Sequence, residues 1–186
     1  MQDDKSKTSS IFNNVWPQER DVISRPDRLR YVRGLKTETQ GCVFCEILQR
    51  GEFSAESLLL FKSQHSMVVM NKYPYNPAHL LVLPLIHEGD LTALNFEVLS
   101  DLAVNVQRCV RILKAEYSCA GLNIGLNHGQ VAGAGIPGHL HWHIIPRWAG
   151  DTNFFPLIAE TKVHPETMEE TYKRLRPHFD KEESAT

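Results

Sequence analysis

An α+β fold with an antiparallel sheet is predicted by three features of the chain. Residues His139-Leu140-His141-Trp142-His143-Ile144-Ile145 alternate strictly between imidazoles and large apolar side chains, the period of a β-strand. Phe96, Leu99, Leu102, Ala103, Val106, Val110, Leu113 and Tyr117 recur at steps of three and four, which marks one long helix with a buried stripe. The elements run as strands, one long helix, then strands again, with no repeating strand–helix unit, an order that points away from a parallel sheet.

Residues 1 to about 40 are polar, contain Pro17 and Pro26 and hold no sustained period, so they read as an extension laid over the domain, its first ten residues the best candidates for disorder. Cys42 to Gln49 is predicted as a short helix closed by Gly51. Leu58–Phe61 and Ser66–Met70 read as strands joined by a tight turn near Ser63-Gln64-His65. Asn71 to Pro77 is a loop, because Pro and Asn dominate it. His79–Pro84 is a third strand, apolar on both faces, and Asn95 is the expected N-cap of the long helix. Gly121–Asn127 is a fourth strand, followed by a glycine-rich loop and the histidine strand. Pro165–Arg176 is expected to be a C-terminal helix with Pro165 in its first turn. The expected division is an extension over 1–40, one domain over 41–160, and a C-terminal helix and tail over 161–186.

The bulk properties exclude several function classes. With 42% hydrophobic and 23% charged residues the chain is an ordinary globular protein. A net charge of −2 gives no general attraction to nucleic acid. The polar first ten residues carry no secretory signal, and runs such as Leu80–Leu83 are far too short to span a bilayer, so the cytoplasm is the expected compartment and no membrane partner is expected. Arg20, Arg25, Arg28, Arg30, Arg33 and Lys36 cluster in the extension. They are read as a solvated segment wrapping the domain, with a phosphate- or subunit-touching arm as the alternative. Without a secretory signal, Cys42, Cys45, Cys109 and Cys119 are expected reduced or metal-bound.

Chemistry concentrates at the histidine strand. A strand sends alternate residues to one face at roughly 6.6 Å per two-residue step, so His139, His141 and His143 share a face and Leu140, Trp142 and Ile144 share the core side. Three neutral imidazoles on one face all need partners when buried, which disfavours a purely structural role. Two readings follow: the cluster binds a metal, or one ring attacks an electrophile while its neighbours hold a charged group. Gly129, Gly133, Gly135 and Gly138 precede the cluster, and backbone amides there can face an anion; a plain tight turn is the plainer reading. Residues 133–138 match G-x-G-x-x-G, but they lead into a strand rather than a helix, so the dinucleotide fingerprint is rejected. Asn127 offers a carboxamide beside this loop. Cys42-x-x-Cys45 is half of a tetrahedral zinc site, which His87 and His139 would complete if strand and helix pack together. Two reduced thiols without metal remain the alternative. His65, His79 and His128 lie at a turn, a strand start and a loop, and His164 and His178 read as solvated.

The pattern His-φ-His-φ-His-φ-φ at His139–Ile145 resembles the defining motif of the histidine-triad superfamily of nucleotide hydrolases and transferases. Asn71-Lys72-Tyr73-Pro74-Tyr75-Asn76-Pro77-Ala78-His79, Gly121–Asn127 and Ile145–Phe154 are similar to the bacterial diadenosine-tetraphosphate phosphorylase branch. The resemblance implies a five-stranded antiparallel sheet with a long helix, extended across a homodimer. It implies one structural zinc on Cys42, Cys45, His87 and His139, and no organic cofactor. It assigns His141 as nucleophile, with His143 and Asn127 on the phosphates, His139 beside them, and Asn71 on the ribose; the amides of Gly133 and Gly135 join the phosphate contacts. The chain departs from many relatives in having Ala134-Gly135-Ile136-Pro137 where Gln and Ser or Thr donors precede the triad, and Leu85-Ile86 without a basic residue before His87.

The reaction implied is cleavage of diadenosine tetraphosphate at the α-phosphate through a nucleotidyl-histidine, with inorganic phosphate as acceptor giving ATP and ADP. Alternatives are hydrolysis of the same substrates, a purine-nucleotide phosphoramidase, a nucleotide sensor with weak activity, and a hydrolase with zinc on all three histidines.

Overall fold

The computed structural model describes residues 41–151 and 166–183; the expected extension over 1–40 lies outside them. Helix α1 (Val43–Arg50) ends where Gly51 adopts φ 63°, and the Gly51 N–H bonds to the Ile47 carbonyl. Glycine suits this left-handed cap because it has no Cβ. Five strands follow in chain order: β1 (Leu59–Lys62), β2 (Ser66–Met70), β3 (Leu80–Pro84), β4 (Gly121–Leu126) and β5 (Trp142–Arg147). They form one antiparallel sheet in the order β1-β2-β3-β5-β4. Helix α2 (Phe96–Tyr117) links β3 to β4, and helix α3 (Met168–Glu183) closes the described chain. The α+β class and the antiparallel sheet are as expected. Among the described residues no helix is long and apolar enough to cross a membrane.

Strands β2 and β3 are buried along their whole length because both faces are covered. Val68, Met70, Leu80 and Val82 pack with Leu102 and Leu113 of α2 and with Leu175 and Phe179 of α3. Met67, Val69, Leu81 and Leu83 point the other way, onto Phe44 of α1. Each side chain so buried contributes about 1.5–3 kcal/mol. A bulge between Leu59 and Phe61 turns both Leu60 and Phe61 toward the first cluster.

Three expectations are corrected. The histidine segment is only partly strand: the ladder starts at Trp142, which pairs with Val82. Continued pairing would bring Leu140 opposite Pro84, which has no N–H to donate. The Leu140 N–H bonds instead to the Glu88 carbonyl at 2.7 Å. The stripe of α2 is also shifted. Phe96, Leu99 and Ala103 are exposed, and the buried line is Val98, Leu102, Asn105, Cys109, Leu113 and Tyr117. A polar residue inside this line hid it from an apolar count: Asn105 Nδ2 donates to the Ser63 and Ser66 hydroxyls at 2.9 and 2.7 Å, and both hydroxyls donate to Asp101 at 2.5 Å. The C-terminal helix begins at Met168 and continues through Pro177 rather than running from Pro165 to Arg176. Thr167 and Glu170 make reciprocal side-chain-to-amide bonds of 3.2 and 2.8 Å, a capping box that sets its start. The N-cap at Asn95 is as expected, its side chain accepting from the Val98 N–H at 3.0 Å.

Candidate functional site

The three triad histidines lie over the α1 face of the sheet, with Leu140 and Ile144 in the opposite core. Phe44 packs against two of the rings, with centroids 5.4 Å from His139 and 5.2 Å from His141. His141 and His143 meet edge to face at 5.1 Å.

His139 is fully buried and turns toward α1. Its Nε2 lies 2.9 Å from the Pro84 carbonyl, so that nitrogen is the donor and Nδ1 carries the lone pair. Nδ1 faces Cys42 Sγ at 3.4 Å and Cys45 Sγ at 3.8 Å, and His87 Nδ1 lies 3.4 Å from Cys45 Sγ. One ligand atom from each of Cys42, Cys45, His87 and His139 falls within 4.8 Å of the others. A tetrahedral zinc with bonds of about 2.3 Å to sulfur and 2.0 Å to nitrogen has S–N edges of roughly 3.5 Å. The donor set fits such an ion in spacing and in chemistry, and the Pro84 carbonyl supplies the outer hydrogen bond that orients a ligating imidazole. Of the triad only His139 joins this cluster, which disfavours zinc shared by all three histidines.

His141 is also buried, and its Nδ1 donates to the carbonyl of His139 at 2.8 Å. Nε2 therefore holds the lone pair. Burial lowers its pKa below the ordinary imidazole value, against a smaller upward pull from the His139 carbonyl bond. Burial thus favours the neutral ring, and the bond to the His139 carbonyl fixes its tautomer.

His143 is set by His79, a residue to which the sequence alone assigned no role. His79, fully buried at the start of β3, places Nε2 2.9 Å from His143 Nδ1. The backbone N–H of Tyr75 donates to His79 Nδ1 at 3.1 Å, and Asn71 Nδ2 lies over the ring, 3.2 Å from Nδ1 and 3.5 Å from Nε2. The Tyr75 ring lies nearly parallel to His143, 19° between planes and 6.0 Å between centroids. Asn76 ties this loop to the end of β5 through the Pro146 carbonyl and Asp151, both at 2.9 Å, and Asp151 in turn clamps Arg147. The advance signals for His79 were its place at the head of an apolar strand and at the end of the family-like segment Asn71–His79.

The loop before the triad is assembled by close backbone approach. A Cβ on Gly89 would lie 2.5 Å from the Pro137 carbonyl. Gly89→Ala is therefore expected to lower stability by about 1–3 kcal/mol, seen as a fall in the unfolding midpoint, because the segment after β3 that carries His87 and the loop that leads into His139 would have to part to admit a methyl. An unchanged midpoint would mean the loop yields freely. Asn127 is half-buried and follows the last ladder pair, Leu126–Trp142, so continued register sets it opposite His141. The Gly133 N–H bonds to the Gln130 carbonyl at 3.0 Å and so turns into its own loop; Gly135 is half-buried.

The HIT domain model matches residues 52–150. The AP-4-A phosphorylase of Mycobacterium tuberculosis is 36% identical over 132 residues, 71% of this chain and 67% of that one. The asymmetrical bis(5'-nucleosyl)-tetraphosphatase of Schizosaccharomyces pombe is 32% identical over 100 residues, 54% of each chain. Among solved structures, a zinc-bound histidine triad family protein from Mycobacterium smegmatis superposes with a TM-score of 0.63 at 26% identity, covering 79% of this chain and 99% of that one. Sheet order, alternating histidines and family match agree, and the chain belongs to the HIT domain family.

Proposed function

We propose that the protein is a nucleotidyl transferase that cleaves dinucleoside polyphosphates, diadenosine tetraphosphate in the first place, with His141 as nucleophile. The observation that carries this reading is the bond from His141 Nδ1 to the His139 carbonyl, which leaves Nε2 as the nucleophilic nitrogen. Nε2 attacks the α-phosphorus. An N–P bond forms, the P–O bond to the distal nucleotide breaks, and ATP departs. His143 Nε2–H, Asn127 and the loop amides near Gly135 stabilise the charge on the phosphoryl oxygens; Gly133 joins them only if its bond to Gln130 opens. Phosphate then attacks the nucleotidyl-histidine, giving ADP and restoring the neutral ring. The similarity to a phosphorylase over 71% of the chain supports phosphate as acceptor. Water as acceptor would give AMP, a reading supported by the similarity to the tetraphosphatase.

Asn71 is assigned to the ribose, whose hydroxyl would donate to Oδ1. Cys42, Cys45, His87 and His139 would hold zinc. When bound, the ion supplies a rigid cross-link between α1, the segment after β3 and the triad; the phosphoryl chemistry belongs to the protein side chains. A homodimer belongs to the same reading, supported by Phe96, Leu99 and Val104 exposed on α2 and Ile124 exposed on edge strand β4. The reading keeps domain limits of 41–160 for the catalytic unit.

The test is product analysis with labelled inorganic phosphate. Label is expected in ADP, in equal amount to ATP. Unlabelled AMP as sole partner of ATP would establish hydrolysis, and absence of turnover on dinucleoside polyphosphates would overturn the proposal.

A further inference from the structure

We propose that the part of the substrate beyond the scissile bond lies along the triad face of β4, over Gly125 and against Asn123. The proposal rests on the reading above and deepens it, since it places the leaving nucleotide. Gly125 pairs with His143 in an antiparallel ladder and so shares its face. A glycine inside a strand weakens it, and such a glycine stands at a bulge, at a positive φ, or where a ligand or another backbone comes close. The β4–β5 register runs without a shift from the Gly121–Arg147 pair to the Leu126–Trp142 pair. Gly125 is not among the positive-φ glycines. A Cβ built on it would meet nothing within 4 Å among the described residues. The fold of the chain thus makes no use of the missing side chain, whereas a ligand beside His143 does.

Asn123 is the next residue of β4 on that face, opposite Ile145 and roughly 6.6 Å along the strand from Gly125. It is exposed, and one bond fixes how its carboxamide is turned: Arg147 Nη1 donates to Oδ1 at 2.7 Å. A guanidinium can only donate, so the end turned away from Arg147 is Nδ2, which carries two donors. Asp151 holds Arg147 through Nε and Nη2 at 2.6 and 2.8 Å, so the guanidinium keeps its place without Asn123. Sheet order decides which end of the substrate these groups serve. The triad strand lies between β3 and β4. Asn71, assigned to the retained ribose, follows β2, on the other side of β3, where its N–H bonds to the His79 carbonyl at 2.9 Å. With the retained nucleoside on the β2–β3 flank, the β4 flank takes the departing polyphosphate. There Asn123 Nδ2 donates to phosphoryl oxygens, and no side chain at position 125 stands between them and His143.

Calorimetry with AMP and with a non-cleavable analogue of diadenosine tetraphosphate separates the two ends of the substrate. Asn123→Ala is expected to weaken binding of the analogue by about tenfold and to leave AMP within about twofold. Gly125→Val puts a β-branched side chain into open space on a strand, so its unfolding midpoint is expected to match or exceed the parent's. The same variant is expected to bind the analogue about tenfold more weakly or worse, with AMP unaffected. Equal losses for both ligands would place the effect on the triad and overturn the proposal, as would parent-like affinity for the analogue in both variants. A lower midpoint or a changed oligomeric state in Gly125→Val would assign the glycine to packing; Asn123→Ala then decides, a loss confined to the analogue upholding the subsite and no loss removing it. A parent that binds neither ligand would remove the dinucleoside reading itself, whereas a parent that binds both, with variants that lose neither, would remove the β4 subsite alone.

Discussion

His141→Ala is expected to lower turnover of diadenosine tetraphosphate by about 10⁴-fold or more, as removal of a covalent nucleophile does in other enzymes. The reason lies in bonding rather than in affinity. No other triad ring combines a fixed Nδ1–H with an Nε2 lone pair, because His139 directs its lone pair at the cysteines and His143 presents its lone pair to His79. Alanine also removes a buried ring beside Phe44, so some loss of stability is expected with it. His141→Asn separates the two effects. Its amide can still donate to the His139 carbonyl, but it has no nucleophilic nitrogen. Both variants are expected to bind a non-cleavable nucleotide analogue within a few-fold of the parent by calorimetry. Turnover within tenfold of the parent in either variant would place the N–P bond on another residue.

Cys42→Ser is expected to lower the unfolding midpoint by about 10 °C. A ligand held at about a thousand times its Kd stabilises by about 4 kcal/mol, and each kcal/mol moves the midpoint of a domain this size by about 2–4 °C. Metal analysis is expected to fall from one zinc per chain to a small fraction. The rate per folded molecule should fall less than tenfold, because the segment bearing the nucleophile has other supports: Leu140 N–H to the Glu88 carbonyl, His139 N–H to the Ile136 carbonyl, and His139 Nε2 to Pro84. Equal zinc content in variant and parent would remove the metal assignment. A folded, zinc-free enzyme without any turnover would show that the ion does more than cross-link.

How well each part was read depended on how local its cause is. The cap at Gly51 and the N-cap at Asn95 are decided by residues within one helical turn, and both were found as expected. The Thr167–Glu170 capping box is equally local, and its sequence pattern was available and passed over. The stripe of α2 was legible at Leu102, Leu113 and Tyr117 but not at its polar member, because Asn105 satisfies its amide on Ser63 and Ser66, some forty residues upstream. The glycine at position 89 gave no local signal, since the carbonyl that excludes a side chain belongs to Pro137.

The alternation of residues 139 to 145, the Cys42–Cys45 spacing and the order of elements determined the fold class, the family likeness and the candidate ligands, since each is a periodicity written within a few positions. Which nitrogen of each imidazole carries a proton was decided only by tertiary structure. That choice rests on what each ring meets: a carbonyl from Pro84 for His139, the carbonyl of His139 for His141, and His79, 64 positions away, for His143. A histidine is one letter with two tautomers, and only its neighbours in space select between ligand, nucleophile and donor.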